Sequence, residues 1–582
     1  MRGGDLLPGL DRLAHYERPW LRGDLVAGVT VAAYLIPQVM AYAEVAGLPA
    51  VTGLWAALGA MTVYAFIGSS RQLSVGPEST TALLTATAVG PLAAGDPSRY
   101  ATLAAALGLV VAALCLVAWI ARLGFLADLL SKPVLVGYLA GVAVIMIAGQ
   151  LDSFAGIELE GETPPETILS FVTNITEAHW ATFLLATGVL VFLFVGSALF
   201  PKAPIPLVAM VLATVVVGVF GLADEGISLV GSIPSGLPTV RWPAADLSDF
   251  TALLLPAVGV TVVAYTDNTL EGRGFAARGG YRIDANQELF ALAGANAAAG
   301  LVQGFPVSSS GSRTVIGDSL GSRSQLFSLV AVGVIAVTLL FLGPALEQFP
   351  QAALAAVVIW AAVKLVDVAE LRRIARFRHS ELILALSTTV AVLVVDILYG
   401  VLVAVGLSIL DLLRRVARPH DGVLGYVPGV AGMHDIDDHP AARQMPGLVV
   451  YRYDAPLFFA NAEDFKDRAL GSLDSADGPV EWFLLNFEAN VQIDLTSIDA
   501  LGEIRAELEE RGIKLALARV KHEMYEELER AGLVEAIGAH RIFDTLPMAV
   551  VAYVEAYTAK HGEPPPGVVP PDPPAQPVID PP

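Results

Sequence analysis

FPVSSSGSRT, residues 305–314, lies between two long apolar runs and decides the fold. Its neighbours read as bilayer-spanning, yet it holds a proline, a glycine, four serines and an arginine. A charged side chain at membrane depth is costly and marks function. Non-helical backbone at that depth is tolerated only when buried in protein or lining a wet cavity. A helix starting near Ser312 turns its unpaired N–H groups and the positive end of its dipole back onto this stretch. Hydroxyls, a helix N-terminus and a guanidinium together describe an anion site.

Composition agrees with a bilayer setting. The 582 residues are 55% hydrophobic and 16% charged, with a mean hydropathy of +0.62, which places the chain among polytopic membrane proteins. A net charge of −22 argues against nucleic acid as a partner. The single cysteine, Cys115, lies in an apolar run and cannot form an intrachain disulfide. Residues 1–23 are charged and lack an apolar core, so they read as a cytoplasmic N-terminal segment and not as a cleavable signal.

Apolar windows begin near residues 24, 51, 100, 130, 181, 204, 250, 285, 325, 350 and 379, the last long enough for two passes. Two shorter pieces, 77–91 and 312–320, bring the expectation to about fourteen crossings. An even number puts both termini on one side. The loops on that side hold Arg71, Arg122, Lys132, Lys202, Arg273, Arg278, Arg282 and a cluster running from Lys364 to Arg378, while the opposite loops are acidic or neutral. The positive-inside rule makes the basic side cytoplasmic. The two short pieces are each the third element of a seven-span half, and each follows a helix-breaking stretch, RQLSVGPESTT (71–81) or residues 305–314. Paired interrupted segments of this kind point to a transporter's midplane site. The expected transmembrane domain is 24–415, with repeats at about 24–221 and 250–415. A polar linker (416–446), a small α/β domain (447–560) built of alternating strand and helix patterns, and a proline-rich disordered tail (561–582) follow.

Residues 22–49 (RGDLVAGVTVAAYLIPQVMAYAEVAGLP), 69–79 (SSRQLSVGPES) and 305–314 resemble the sulfate permease family of anion transporters (SulP, solute carrier 26), and the C-terminal domain resembles its STAS domain. The resemblance implies a seven-plus-seven inverted repeat, a core domain moving against a gate domain, and a homodimer. It also implies an anion site between the third and tenth helix N-termini, lined by side chains of the first and eighth helices.

The site residues follow. Pro37 should break or kink the first span, and by resemblance Gln38 and Tyr42 line the anion site. Arg313 resembles the family's basic position on the tenth helix, with Ser310, Ser312 and Thr314 beside it and Ser79 at the third helix; a permanent pairing of Arg313 with Asp267 is the competing structural reading. Asp267, in the eighth span, is a candidate for binding Na⁺ or a proton. Glu271, one turn on, is either a coupling residue or solvated by a loop. Glu78 departs from the family pattern. It reads as a first-turn glutamate favoured by the dipole, or as a carboxyl that must be protonated when a divalent anion enters. Glu44 is a further intramembrane acid. In the STAS-like domain Thr496 matches the hydroxyl phosphorylated in related anti-sigma antagonists, against an ordinary helix cap. The histidines show no metal-ligand spacing, and His434 and His439 read as solvated.

The expected function is secondary active transport of a small oxyanion, sulfate foremost, coupled to H⁺ or Na⁺ by alternating access. It is not an enzyme, and no cofactor beyond bound Na⁺ is expected. Its expected partners are the substrate anion, the bilayer of the cell membrane, a second copy, and an unidentified protein at the STAS domain. Bicarbonate or a C4-dicarboxylate is the alternative cargo, and an anion channel or a STAS-based signalling scaffold the alternative class. No GxxxxGK[ST] motif is present, which disfavours ATP-driven transport.

Overall fold

The computed structural model describes residues 6–566, apart from 129, 130, 162, 232, 235, 396, 428, 429, 431 and 477. The sequence-expected tail beyond 566 lies outside the described residues, as do residues 1–5. The chain divides into two compact units, Met1–Ser408 and Ile409–Pro582.

In the first unit a helix occupies each apolar window. They are α1 (Leu21–Val45), α2 (Val51–Ile67), α3 (Ser79–Ala93), α4 (Pro97–Ile120), α5 (Lys132–Ala148), α6 (Trp180–Leu199) and α7 (Ile205–Phe220) in the first half. The second half has α8 (Leu247–Gly279), α9 (Ala285–Leu301), α10 (Gly311–Ser319), α11 (Leu326–Phe341), α12 (Gln351–Leu365), α13 (His379–Val395) and α14 (Ile397–Ala417). Shorter helices fill some of the connections. Their packing repeats with a shift of seven. α1 packs on α11 and α8 on α4; α5 on α13 and α12 on α6; α4 on α9 and α11 on α2. A contact pattern that maps onto itself when each helix is moved seven along is the internal symmetry that residue identity had lost. It also sorts α1–α4 with α8–α11 as a core, and α5–α7 with α12 and α13 as a gate.

Small residues let these helices meet closely where no hydrophobic force separates helix from lipid. A Cβ on Gly53 of α2 would stand 1.9 Å from the Val39 carbonyl oxygen of α1, and one on Gly137 of α5 would stand 2.0 Å from that of Ala385 of α13. Pro37 does not break α1. The helix runs through it, which a membrane helix tolerates when neighbours satisfy the freed carbonyl. α8 likewise outruns its apolar window, so Arg273 and Arg278 ride on the helix rather than in a loop.

The second unit is a six-stranded sheet. β3 (Asp421–Tyr426), β4 (Met433–Asp435), β5 (Leu448–Tyr453), β6 (Trp482–Asn486), β7 (Lys514–Ala518) and β8 (Ile542–Phe543) lie in the order β4-β3-β5-β6-β7-β8. The run from β5 to β8 is parallel, and β3 joins β5 antiparallel. Side chains alternate between two cores. Tyr451, Phe483, Leu485 and Leu517 face α15 (Ala462–Gly471), α16 (Leu495–Glu510) and α17 (His522–Arg530). Val450, Leu484 and Ala516 face α18 (Leu546–His561). The stretch 416–446 is therefore not a linker. Its strands are short and carry Gly422 and Gly425, so composition hides them.

Candidate functional site

Two short strands organise the site. β1 (Val75–Gly76) pairs antiparallel with β2 (Ser308–Ser309), with Val75 opposite Ser309 and Gly76 opposite Ser308. α3 begins three residues after β1, and α10 two residues after β2. Antiparallel strands therefore send these two helices away from each other with their N-termini adjacent. Neither N-terminus is capped by the side chain of its own N-cap residue; at α10 the Gly311 N–H meets the Glu271 carboxylate instead.

The crossing is fastened from behind. The Ser310 N–H donates to the Ser74 carbonyl at 2.9 Å. The Ser74 N–H donates to the Thr314 hydroxyl at 3.0 Å, which donates in turn to the Ser310 carbonyl at 2.7 Å. Asn296 of α9 clamps the approach to β2, accepting from the Val307 N–H at 2.9 Å and donating to its carbonyl at 3.1 Å. Gln325 donates to the carbonyls of Ser70 and Leu73, both at 3.0 Å.

In front of the crossing is a cavity of about 180 Å³. α1 contributes Tyr34, Gln38 and Tyr42, the start of α3 contributes Glu78 and Ser79, and α8 contributes Glu271. The start of α10 contributes Ser310, Gly311 and Ser312, and α12 closes the far wall with Trp360 and Lys364. The Gln38 amide donates to the Tyr42 hydroxyl at 2.9 Å, and the Ser310 and Ser312 hydroxyls are 3.3 Å apart. Glu271 is not loop-solvated. Its Oε1 would be 2.7 Å from a Cβ on Gly311, so the carboxylate sits against the first turn of α10.

Arg313 is fully buried and lies behind this wall, not in it. Its guanidinium reaches Gln38 Oε1 at 3.2 Å, Ser74 Oγ at 3.4 Å and Glu78 Oε2 at 3.5 Å. Arg313 thus meets the cavity through the side chains of Gln38 and Glu78, which line it. Its carboxylate partner is Glu78, not Asp267. Glu78 does not cap α3. It accepts from Ser79 Oγ at 3.1 Å and faces Arg313. Thr314, expected at the substrate, has its hydroxyl committed to the crossing and does not line the cavity. Asp267 is half-buried one turn before Glu271 and also lies outside the lining. Glu44 sits in the last turn of α1, away from it. Tyr34, Trp360 and Lys364 are lining side chains that sequence reasoning missed; nothing in the α1 or α12 windows marks them.

In the second unit Thr496 is exposed in the first turn of α16. Asp494 is the N-cap, accepting from the Ser497 N–H at 2.9 Å and, through its other oxygen, from the Phe459 N–H at 2.7 Å. Asp494→Ala is expected to cost about 1 kcal/mol, as lost caps do. Lost amide-exchange protection at Ser497 and Phe459 would report it. His420, Asp435 and Asp438 bring ligand atoms within 4.8 Å of one another across β3 and β4, a grouping that linear spacing does not reveal. His420 Nε2 is 3.1 Å from Asp435 Oδ2, the geometry of an ion pair. The rings of His434 and His439 are 5.0 Å apart, and His434 is half-buried, not solvated.

Broken helices meeting head to head in a bundle of apolar helices define a membrane carrier, and two helix N-termini turned toward one cavity make its cargo an anion. The chain belongs to the sulfate permease family: the model of that family matches residues 21–388, and the STAS domain model matches 439–549. It is 56% identical to the probable sulfate transporter Rv1739c of Mycobacterium tuberculosis, over 94% of this chain and 98% of that one. It is 33% identical to the chloroplastic sulfate transporter 4.1 of Arabidopsis thaliana, over 89% and 78%. The fold matches murine solute carrier 26 member A9, an anion transporter solved in the inward-facing state, with a TM-score of 0.86 at 23% identity over 94% of both chains. It also matches the transmembrane domain of the cyanobacterial bicarbonate transporter BicA, with a TM-score of 0.59 at 21% identity over 68% and 98%.

Proposed function

We propose that the chain takes up sulfate by alternating access, as a cell-membrane symporter driven by H⁺ or Na⁺, with both termini cytoplasmic and two copies per assembly. The observation that carries the reading is the cavity before the paired N-termini of α3 and α10, with Glu78 and Glu271 standing where an anion would dock. The names of the bacterial and plant relatives favour sulfate as the oxyanion. A dianion entering beside two carboxylates is repelled by both. Protonating them, or setting a cation at Asp267, removes that repulsion and ties anion entry to cation entry. Gln38, Tyr42, Ser79, Ser310 and Ser312 supply hydrogen bonds to the oxyanion, and Arg313 acts from behind them. Thr496 and the STAS surface are assigned to regulation by a protein partner.

The test is labelled sulfate uptake into proteoliposomes under imposed pH or Na⁺ gradients. Bicarbonate and succinate serve as competitors. Glu78→Gln and Glu271→Gln fix the neutral form of each carboxyl; Glu78→Gln also unpairs Arg313 and lowers yield, so rates are read per folded molecule, where sulfate exchange should persist while accumulation driven by a pH gradient falls at least ~10-fold. Variants that accumulate sulfate at the wild-type rate and with the wild-type pH dependence would remove both carboxyls from coupling. Accumulation that follows Na⁺ alone would move the role to Asp267.

A further inference from the structure

By sequence, Lys364 belongs with Arg372, Arg373, Arg376 and Arg378 as loop charge. The fold separates them. The arginines lie in or just after the polar helix Val368–Phe377, and all four are exposed. Lys364 is exposed too, but it lies in the last turn of α12 and lines the cavity. Its Nζ rests 3.6 Å from the ring centroid of Trp360, one turn earlier. Among the described residues no carboxylate pairs with it. Trp360 is itself 1% exposed, and its indole N–H has no acceptor. The gate wall therefore brings an ammonium parked on an aromatic face, and a buried unsatisfied donor in the side chain beneath it.

While its carboxyls are ionised, before any coupling proton arrives, the core wall cannot hold a dianion on charge alone. Glu78 and Glu271 contribute two negative charges and Arg313 one positive. Each helix N-terminus adds about half a positive charge, which brings the wall close to zero. A cation on the opposite wall supplies what is missing. We propose that Lys364 is the specificity-determining cation of the site: it leaves Trp360 to engage the oxyanion from the gate side and sets the preference for dianions over monoanions. The assignment rests on the reading of this cavity as the substrate site. The attraction of one cation scales with the charge on the anion, so losing it squares the penalty for a dianion relative to a monoanion.

The experiment uses the full chain in proteoliposomes, with labelled sulfate as the probe and nitrate as the competing monoanion. Lys364→Met is expected to raise the sulfate KM ~10-fold and the nitrate inhibition constant only ~3-fold, while Lys364→Arg keeps both within about twofold of wild type. Thermal unfolding in detergent should be alike for all three, since the side chain lies at an exposed helix end. A sulfate KM that moves less than twofold in Lys364→Met, or sulfate and nitrate weakened equally, overturns the proposal. So does an Arg variant as impaired as Met. Arg313→Gln separates the two failures. If it too retains the wild-type sulfate KM, the cavity reading falls and Lys364 with it; if it loses uptake while Lys364→Met does not, only Lys364 falls. A wild type that sulfate neither enters through nor stabilises thermally sinks both.

Discussion

Arg313→Gln is expected to reduce sulfate uptake to about 1% or less, and to do so for two separable reasons. The first is structural. Arg313 is fully buried and its ion-pair partner Glu78 is 15% exposed at 3.5 Å. Removing one member of a buried pair leaves the other unpaired and costs about 3–5 kcal/mol, enough to lower yield and thermal stability. The second is electrostatic. Acting on an anion beyond Gln38, at about 7 Å through an effective dielectric of 20, a unit charge is worth about 2 kcal/mol for each charge on the anion, and the guanidinium is the only full positive charge on the core side of the cavity among the described residues. The double variant Glu78→Gln/Arg313→Gln distinguishes them. With both charges gone the structural penalty should largely vanish, so yield and melting temperature return toward wild type. Uptake should not return, because the positive potential behind Gln38 is still missing. Recovery of transport in the double variant would mean that Arg313 serves only to neutralise Glu78, and the anion would then be held by the helix ends alone.

That pairing shows how far sequence reading reaches in this chain. The serine-rich stretch at 305–314 and its partner at 71–81 are visible because they interrupt apolar runs in matching places. Interruption is a one-dimensional signal, and the paired strands β1 and β2 stand where it falls. The depth of Arg313 is not visible, because it depends on which face of a two-residue strand crossing the helix start is drawn toward. Glu271 reads as an acid near a helix end, and only the approach of α10 to α8 brings it to Gly311. Lys364 sits among basic residues whose charge made it seem one of them; the turn after Leu365 sends its neighbours elsewhere. β3 carries two glycines and β4 is only three residues long, so their pairing partners, not their own propensities, hold them in the sheet.

Glu288 gave no sequence signal at all, yet its replacement should rank with that of Arg313 in effect. It lies in the first turn of α9, fully buried. Its carboxylate accepts from the Tyr64 hydroxyl at 2.8 Å and the Asn268 amide at 2.6 Å through one oxygen. The Ser69 N–H and hydroxyl, at 2.9 and 2.6 Å, donate to the other. One side chain thus ties α2, α8 and α9 to the loop that leads into β1. Each buried donor left without an acceptor costs about 1–3 kcal/mol, so Glu288→Leu should fold poorly, with the melting temperature lowered by at least ~5 °C. Glu288→Gln keeps one acceptor oxygen but turns an amide toward donors, so it should fall between the two. The informative measurement is the sulfate KM of the glutamine variant at a temperature where it is fully folded. A brace that positions the start of α3 and the Glu271 face of α8 predicts a raised KM there. A KM equal to wild type would mean that β1 and β2 hold the half-helices in register without help from the loop, leaving Glu288 a purely structural carboxylate.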